Sequence, residues 1–384
     1  LMMKILLFTS AVTLCIHLSL IIVSPQYRGV ETAGIEVGPY LQNVTDTSIT
    51  IMWKTGAETT SNSVEWGTSM ELGNTTMGDA GGVWHEVKME GLEPSTAYLY
   101  RVRSDNTESN IYSFHTSVGK GEPFTFVAYG DSRGVWDNWQ HASLVARGIS
   151  DAQPHFVINT GDMVNQGSSE EAWLSFLQVS DFMHNTTLFP AVGNHDMPVS
   201  AFTTYFSLPG NEEWYSFEYG DAHFIVLNSV MPDVLSLGQF IWLMKHLHTD
   251  AQWTIAVFHY PPYSSGKHGN TTLLQFLWAP FLERGGVDLV LTGHDHIYEH
   301  IYVHDTTYVV TGGGGAPLYD VGKSDWTVMS TSAYHYVRID VNVSAIRVTA
   351  CMYDGEPIEQ FDVPPNNEKE GIYSAVASFV SHGY

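Results

Sequence analysis

Cysteine is nearly absent from this chain: there are two, Cys15 in an N-terminal apolar segment and Cys351 inside a predicted strand. A disulfide framework is thereby excluded as the source of stability. Positive charge is scarce as well, with 16 Lys and Arg against 41 Asp and Glu and a formal net charge of -25. That balance excludes nucleic-acid binding through a basic surface. It would also repel a phosphorylated ligand unless bound cations reverse the field locally. The glycine run Gly312-Gly313-Gly314-Gly315-Ala316-Pro317-Leu318 lacks the strand, GK[ST] ending and helix of a nucleotide loop. It reads as a place where backbone can approach closely beside a pocket. No internal repeat is present.

What is there begins with Lys4 and an apolar run from Ile5 to Val23, broken by Thr9, Ser10, Thr13, His17 and Ser19. Residues 1–33 read as a secretory signal or an N-terminal membrane anchor. Either reading places the protein outside the cell or at its surface. N-x-S/T sequons begin at Asn43, Asn74, Asn185, Asn270 and Asn342 and point to a glycosylated exterior.

A length of 384 residues, 44% apolar and 13% aromatic, suits two domains with a sizeable core. Residues 34–117 alternate polar and apolar in short runs: Ser48–Lys54, Ser63–Gly67, His85–Met89, Leu99–Arg103 and Asn110–Phe114. Such spacing predicts an all-β sandwich. Leu92-Glu93-Pro94-Ser95-Thr96-Ala97-Tyr98 resembles the tyrosine corner of fibronectin type III-like domains, and Trp53 suits the core of such a module.

Lys120-Gly121-Glu122-Pro123 reads as a linker, after which apolar runs alternate with helical stretches over residues 122–363, followed by a tail at 364–384. Strands are expected at 124–129, 156–160, 188–192, 224–227, 254–258, 287–292, 308–311, 334–341 and, last, 345–352. Helices are expected near 138–152, 169–184, 237–248 and 271–284. Polar residues then stand at the C-terminal ends of five of these strands: Gly130-Asp131, Gly161-Asp162, Gly193-Asn194-His195-Asp196, Phe258-His259 and Gly293-His294-Asp295-His296. Ligands bind at that edge of α/β sheets because the loops there converge. A mixture of Asp, Asn and His suits Fe, Mn or Zn, and carries too much nitrogen for calcium or magnesium.

These five blocks resemble those of calcineurin-like metallophosphoesterases, and the sandwich in front makes the chain similar to the purple acid phosphatase branch. The resemblance spans roughly residues 34–363. It implies a four-layer α/β/β/α catalytic domain holding two metal ions. Asp131 and His296 would bind the first metal, Asn194, His259 and His294 the second, and the Asp162 carboxylate would bridge ions ~3.5–4 Å apart. It further implies an exported enzyme that hydrolyses phosphate monoesters of small molecules by attack of a metal-bound hydroxide. A phosphodiesterase or nucleotidase with the same centre, or a cell-surface binding protein with a degenerate one, are the alternatives.

The chain departs from the pattern twice. Purple acid phosphatases carry a tyrosine ligand three residues after the second-block aspartate, where this chain has Asn165. Related enzymes carry a histidine two residues after the first-block aspartate, where this chain has Arg133. The first metal therefore lacks its fourth protein ligand, and no tyrosinate-to-iron colour is expected. The Arg133 guanidinium is a candidate to hold a substrate oxygen. By the same resemblance, His195 would act on the substrate, protonating the leaving oxygen or stabilising the transition state, with Asp196 fixing its orientation. His268, in the loop after His259, is a candidate phosphate contact, and Tyr298 and Glu299 would support the site from behind.

Overall fold

A computed structural model describes residues 34–364. The signal or anchor segment, Cys15 and the tail from residue 365 lie outside the described residues, in which Cys351 is a free, buried thiol. None of the described helices is long and apolar enough to cross a membrane.

The first region is all-β. Strands Ile35–Gln42, Ser48–Thr55 and Trp84–Glu90 form one antiparallel sheet. Asn74–Gly78, Asn62–Gly67, Ala97–Ser104 and the short Thr107–Glu108 form the other, with Tyr112–His115 also paired to Ala97–Ser104. Alternation holds best in Trp84–Glu90 and Ala97–Ser104, whose odd and even residues separate cleanly into buried and more exposed sets. Besides the two-residue Thr107–Glu108, two strands escape the sequence reading for opposite reasons. Ile35–Gln42 is buried on both faces over its second half, while Asn74–Gly78 is an edge strand with no buried residue. The tyrosine corner forms as expected, the Glu93 N–H donating to the Tyr98 phenol oxygen at 2.9 Å.

The second region holds two mixed sheets. In the six-stranded one the order is Thr187–Pro190, Phe156–Asn159, Phe124–Tyr129, His335–Asn342, Ala345–Met352, Pro357–Val363. Its first three strands run parallel and the rest antiparallel. In the seven-stranded one the order is Tyr215–Tyr219, Ala222–Val226, Trp253–Val257, Leu289–Thr292, Thr306–Thr311, Tyr298–Val303, Thr327–Thr331. Its central strands bury both faces, as continuous apolar runs require. Phe224, Val226, Ile255, Val257, Leu289, Leu291 and Val309 join Phe126, Phe156 and Val337 in one core between the sheets. The alternate residues Ile225, Ala256, Val290, Tyr308 and Val310 face a second core with Leu243, Leu274, Trp278 and Leu282 from the helices outside. Val145, Ile149, Trp173 and Phe176 bring the helices Gln140–Asp151 and Glu170–Val179 into the first core. The result is the expected α/β/β/α layering behind an all-β region.

The two regions are bound together. Tyr40 Oη donates to the Tyr205 carbonyl (2.9 Å) and Tyr100 Oη to the His184 carbonyl (2.7 Å), while His184 Nδ1 lies 2.6 Å from the Pro39 carbonyl. Sandwich residues such as Tyr40, Trp53 and Tyr100 belong to the same apolar cluster as the inter-sheet core.

Some elements differ from the sequence expectation. The helix expected over 271–284 is two, Thr272–Leu277 and Ala279–Arg284, because Pro280 has no N–H to carry the ladder through the junction. That over 169–184 ends at Val179 and continues as a 3₁₀ turn, Asp181–His184. A short helix, Val199–Tyr205, was not foreseen. The strand Ala345–Met352 is not the last: Pro357–Val363 pairs with it. That strand, Tyr215–Tyr219 and Thr327–Thr331 sit at sheet edges, where mixed exposure erases the apolar signal; Tyr298–Val303 is a fourth strand not foreseen.

Candidate metal centre

The three parallel strands of one sheet and two parallel strands of the other all end at one edge, and each is followed within three residues by a polar block. The turns are tight. Asp131, Asp162 and His294 take left-handed φ of 57°, 58° and 69°, strain that non-glycine residues carry mostly at functional positions. Gly193 has to be glycine: a Cβ there would stand 2.1 Å from Asp162 N and 2.3 Å from its Oδ1. This close approach packs the second and third blocks against each other.

Asp131, Asp162 and His259 are buried, and their ligand atoms lie within 4.8 Å of one another. His259 Nδ1 lies 3.0 Å from the Thr160 carbonyl, to which it donates, so Nε2 carries the lone pair. That Nε2 is 3.4 Å from Asp162 Oδ1 and 3.2 Å from Asn194 Oδ1. Tying one ring nitrogen to a carbonyl and turning the other to an anionic pocket is how histidine ligands are oriented. Asp131 Oδ2 accepts from His294 N (2.8 Å), and its Oδ1 is buried with no hydrogen-bond partner. The His294 ring centroid lies 5.2 Å from that of His259 and 4.4 Å from that of Tyr260.

The electrostatics favour positive charge in this pocket. Burial pushes the Asp162 carboxyl up, but His259, Arg133 and the His195 N–H outweigh it and hold it below the usual carboxylate range. Burial disfavours the His259 imidazolium, yet Asp162 and Asp131 raise its pKa to about 9. A proton on Nε2 is the smallest cation the carboxylates can gather, and a metal ion bound by the same lone pair would displace it. His294 is pushed down to about 2 by burial and by His259 and His268, so it stays neutral, the form in which imidazole binds metal. The donor set Asp131, Asp162, Asn194 and His259 therefore fits a divalent ion, with His294 beside it.

His296 does not join so simply. Its Nδ1 donates to the Pro317 carbonyl at 2.6 Å, and its Nε2 accepts from Arg133 Nη2 at 3.0 Å. Asp131 Oδ1 is 3.5 Å from that Nε2, and Arg133 Nε is 3.6 Å from Asp162 Oδ2. The guanidinium thus stands where Asp131, Asp162 and His296 converge, and as placed this side does not fit a second ion.

Other expectations need correction. Asp196 does not orient His195. Its carboxylate accepts from the N–H groups of Asp162 (2.8 Å), Met163 (2.9 Å), Val164 (3.2 Å) and Gly193 (2.9 Å), and so staples the second block to the third. Burial and Asp162 push it up to about 7 against those donors. His195 is held instead by Nδ1 donating to the Asn165 carbonyl at 2.9 Å, which leaves Nε2 for a substrate. Asp295 accepts from Ser264 Oγ (2.5 Å) and His268 N (2.8 Å), anchoring the loop that carries His268. That loop brings the exposed His268 ring 4.4 Å from His294, so His268 does lie at the site. Glu299 accepts from Ser265 N, supporting the same loop, whereas Tyr298 donates to Glu359. The glycine run backs the first block: Gly314 N donates to the Gly130 carbonyl at 2.9 Å, and a Cβ on Gly312 would stand 2.8 Å from Asp131 Oδ2.

Sequence reading missed three aromatic walls. Tyr319 stacks on His296 with centroids 4.1 Å apart and carries Lys267 over its face at 4.5 Å. Tyr260 abuts His294, and the exposed Trp136 lies under the Arg133 guanidinium at 5.3 Å. Nothing in their spacing announces this; Tyr260 directly follows His259, which was the one available signal.

Comparison with known proteins agrees with this fold. Residues 118–298 match the calcineurin-like phosphoesterase model, and residues 37–116 match that of the purple acid phosphatase N-terminal domain. Purple acid phosphatase 15 of Arabidopsis thaliana is 26% identical over 290 residues, covering 61% of this chain and 54% of that one. Phosphoenolpyruvate phosphatase of Allium cepa is 24% identical over 271 residues, covering 62% and 55%. The chain thus spans little more than half the length of these curated relatives. A purple acid phosphatase from yellow lupin (Lupinus luteus) seeds shares the fold, with a TM-score of 0.75 at 20% identity over 86% of this chain and 74% of that one.

Proposed function

From a chain that carries a calcineurin-like phosphoesterase domain behind a purple acid phosphatase N-terminal domain, we propose an exported, metal-dependent enzyme that hydrolyses phosphate monoesters of small molecules. The observation that carries this reading is the convergence of Asp131, Asp162 and His259 within 4.8 Å at the shared edge of two sheets. A metal there would lower the pKa of a coordinated water toward neutrality and neutralise phosphoryl oxygens, offsetting the acidity of the rest of the chain. Asp131, Asp162, Asn194, His259 and His294 would hold the ion. The two-ion form that the family pattern implies, with Fe, Mn or Zn, would need Asp131, Asp162 and His296 to hold the other ion, where the Arg133 guanidinium stands instead. His195, with Nδ1 pinned, would present Nε2 to the leaving oxygen as acid or hydrogen-bond donor. The Arg133 guanidinium would grip a phosphoryl oxygen, and His268 would meet phosphate from the rim.

The N-terminal apolar run and the sequons support export and glycosylation, with anchoring through residues 1–33 as the alternative to release. A second reading, a surface binding protein with a degenerate centre, draws on the contact between Arg133 and His296.

The test is hydrolysis of p-nitrophenyl phosphate, bis-p-nitrophenyl phosphate and phosphoenolpyruvate by the full chain supplied with Zn²⁺, Mn²⁺ or Fe²⁺. Monoester turnover that falls at least ~10³-fold in both Asp162→Ala and Asn194→Ala, several kcal/mol of transition-state stabilisation, would support the enzyme. Faster diester turnover would shift the substrate class. No turnover above that of the two variants would leave the binding protein as the better reading.

A further inference from the structure

We infer that Arg133 takes the place of one metal, so that the centre holds a single metal ion and completes its positive charge with the protein's own guanidinium. This rests on the metal-dependent phosphoesterase reading and departs from its two-ion form.

The argument starts from lone pairs. With His296 Nδ1 spent on the Pro317 carbonyl, Nε2 is the nitrogen left to bind anything, and Arg133 Nη2 donates to it at 3.0 Å. A metal would need that same lone pair at ~2.0–2.1 Å, inside the volume the guanidinium holds. Lysine could lose its proton to make room, but arginine stays charged at any working pH. The guanidinium is also built in. Arg133 is 5% exposed, its Cζ stands 5.3 Å from the centroid of the Trp136 ring, and it sits two residues after Asp131 on the first-block turn.

Its remaining contacts show what it is for. A buried guanidinium usually meets a carboxylate in paired hydrogen bonds. Here Asp162 Oδ2 stands 3.6 Å from Nε, too far for a hydrogen bond, and Nε has no hydrogen-bond partner. Asp131 Oδ1, across the same pocket, has none either. The carboxylates therefore balance the charge while leaving the Nε donor unused. A tetrahedral oxyanion would bridge the two charges, with one oxygen toward the ion at Asp131, Asp162, Asn194 and His259 and another toward the guanidinium. A fixed organic cation thus does the charge-neutralising work of the absent ion without being exchangeable or titratable.

The experiment is metal content per chain by elemental mass spectrometry, after loading the full chain with excess Zn²⁺ or Mn²⁺ and desalting. It is run on the wild type, Arg133→His and Arg133→Ala, with thermal unfolding as the control for folding. One equivalent in the wild type is expected, rising to two in Arg133→His, where imidazole supplies a ligand in place of the positive charge. Should Arg133→His not fold, a rise above one equivalent in Arg133→Ala carries the same meaning. Two equivalents in the wild type, with p-nitrophenyl phosphate still hydrolysed, would overturn the inference and leave the phosphoesterase standing. One equivalent in all three proteins would overturn the assignment of the exclusion to Arg133. No metal in any of them, and no hydrolysis, would overturn both.

Discussion

Polar groups are buried in both regions of this chain, and they behave in opposite ways. In the sandwich they close on one another. Trp53 Nε1 donates to Ser104 Oγ (2.8 Å), Ser104 Oγ and Thr59 Oγ1 donate to Asn62 Oδ1 (2.7 and 2.9 Å), and Asn62 Nδ2 donates to the Asp79 carbonyl (2.8 Å). At the sheet edge of the second region, Asp131 Oδ1, Arg133 Nε and Thr160 Oγ1 are buried without hydrogen-bond partners. A satisfied network stabilises and specifies a core; an open one is a cost that the fold carries until something binds. Burial of polar residues therefore does not mark a site, and neither does a lone orphan, since Arg103 Nε in the sandwich and Tyr219 Oη and Trp326 Nε1 elsewhere have no hydrogen-bond partner either. Unpaired charged groups gathered at one sheet edge do.

The contrast can be broken in order of effect. Trp53 is fully buried, so Trp53→Ala should cost about 3–5 kcal/mol in urea unfolding, while kcat per folded molecule stays unchanged. A fall in kcat at unchanged stability would mean that the sandwich takes part in chemistry.

Each region also buries one histidine against a threonine hydroxyl, His85 on Thr55 (2.8 Å) and His335 on Thr311 (3.1 Å). Burial lowers both, against a weaker upward pull from Asp105 on His85; His335, where the Ala333 carbonyl and Asp131 pull upward, falls to about 4. The unfolded chain protonates first, near pH 6.5, so the folded state loses stability as pH falls from 6.5 toward 4 and gains nothing further above 6.5. The His335 share is on the order of 3 kcal/mol. His335→Gln should flatten the pH dependence of the unfolding midpoint in that window more than His85→Gln does. The reverse order would place the acid-sensitive core in the sandwich.

His195→Ala should lower kcat about 10²-fold, roughly 2.7 kcal/mol, with metal content and melting temperature unchanged. Loss of metal would move His195 among the ligands. The smallest change is Tyr98→Phe, which removes the acceptor for the Glu93 N–H and should cost about 1 kcal/mol of stability with full activity.

Much of the fold could be read from local pattern. The strands Phe124–Tyr129 and Ala345–Met352 have the bounds expected of them, because a mostly apolar run in the first and an alternating pattern in the second, each ended by turn residues, suffice to define a strand. The edge strands Asn74–Gly78, Tyr215–Tyr219 and Pro357–Val363 could not be read, since one-sided or no burial leaves no run to see. Asp131, Asp162 and His259 were legible as one group because each follows a strand end, and parallel strands bring their ends together. Asp196 was misread for an instructive reason. The family resemblance assigned it to orient His195, but its four partners are backbone N–H groups, which have no sequence signature.

The sequence by itself determined the chemistry on offer: carboxylates, amide and imidazoles after apolar runs, an acidic chain in need of cations, and arginine two residues past the first aspartate. Tertiary structure alone decided how those groups divide the work. His296 lies 163 residues from Arg133, and only folding of both sheets sets Nη2 3.0 Å from Nε2. Residue type is a local property, whereas a lone pair can be given to only one partner, and which partner reaches it first depends on distances that no spacing along the chain encodes.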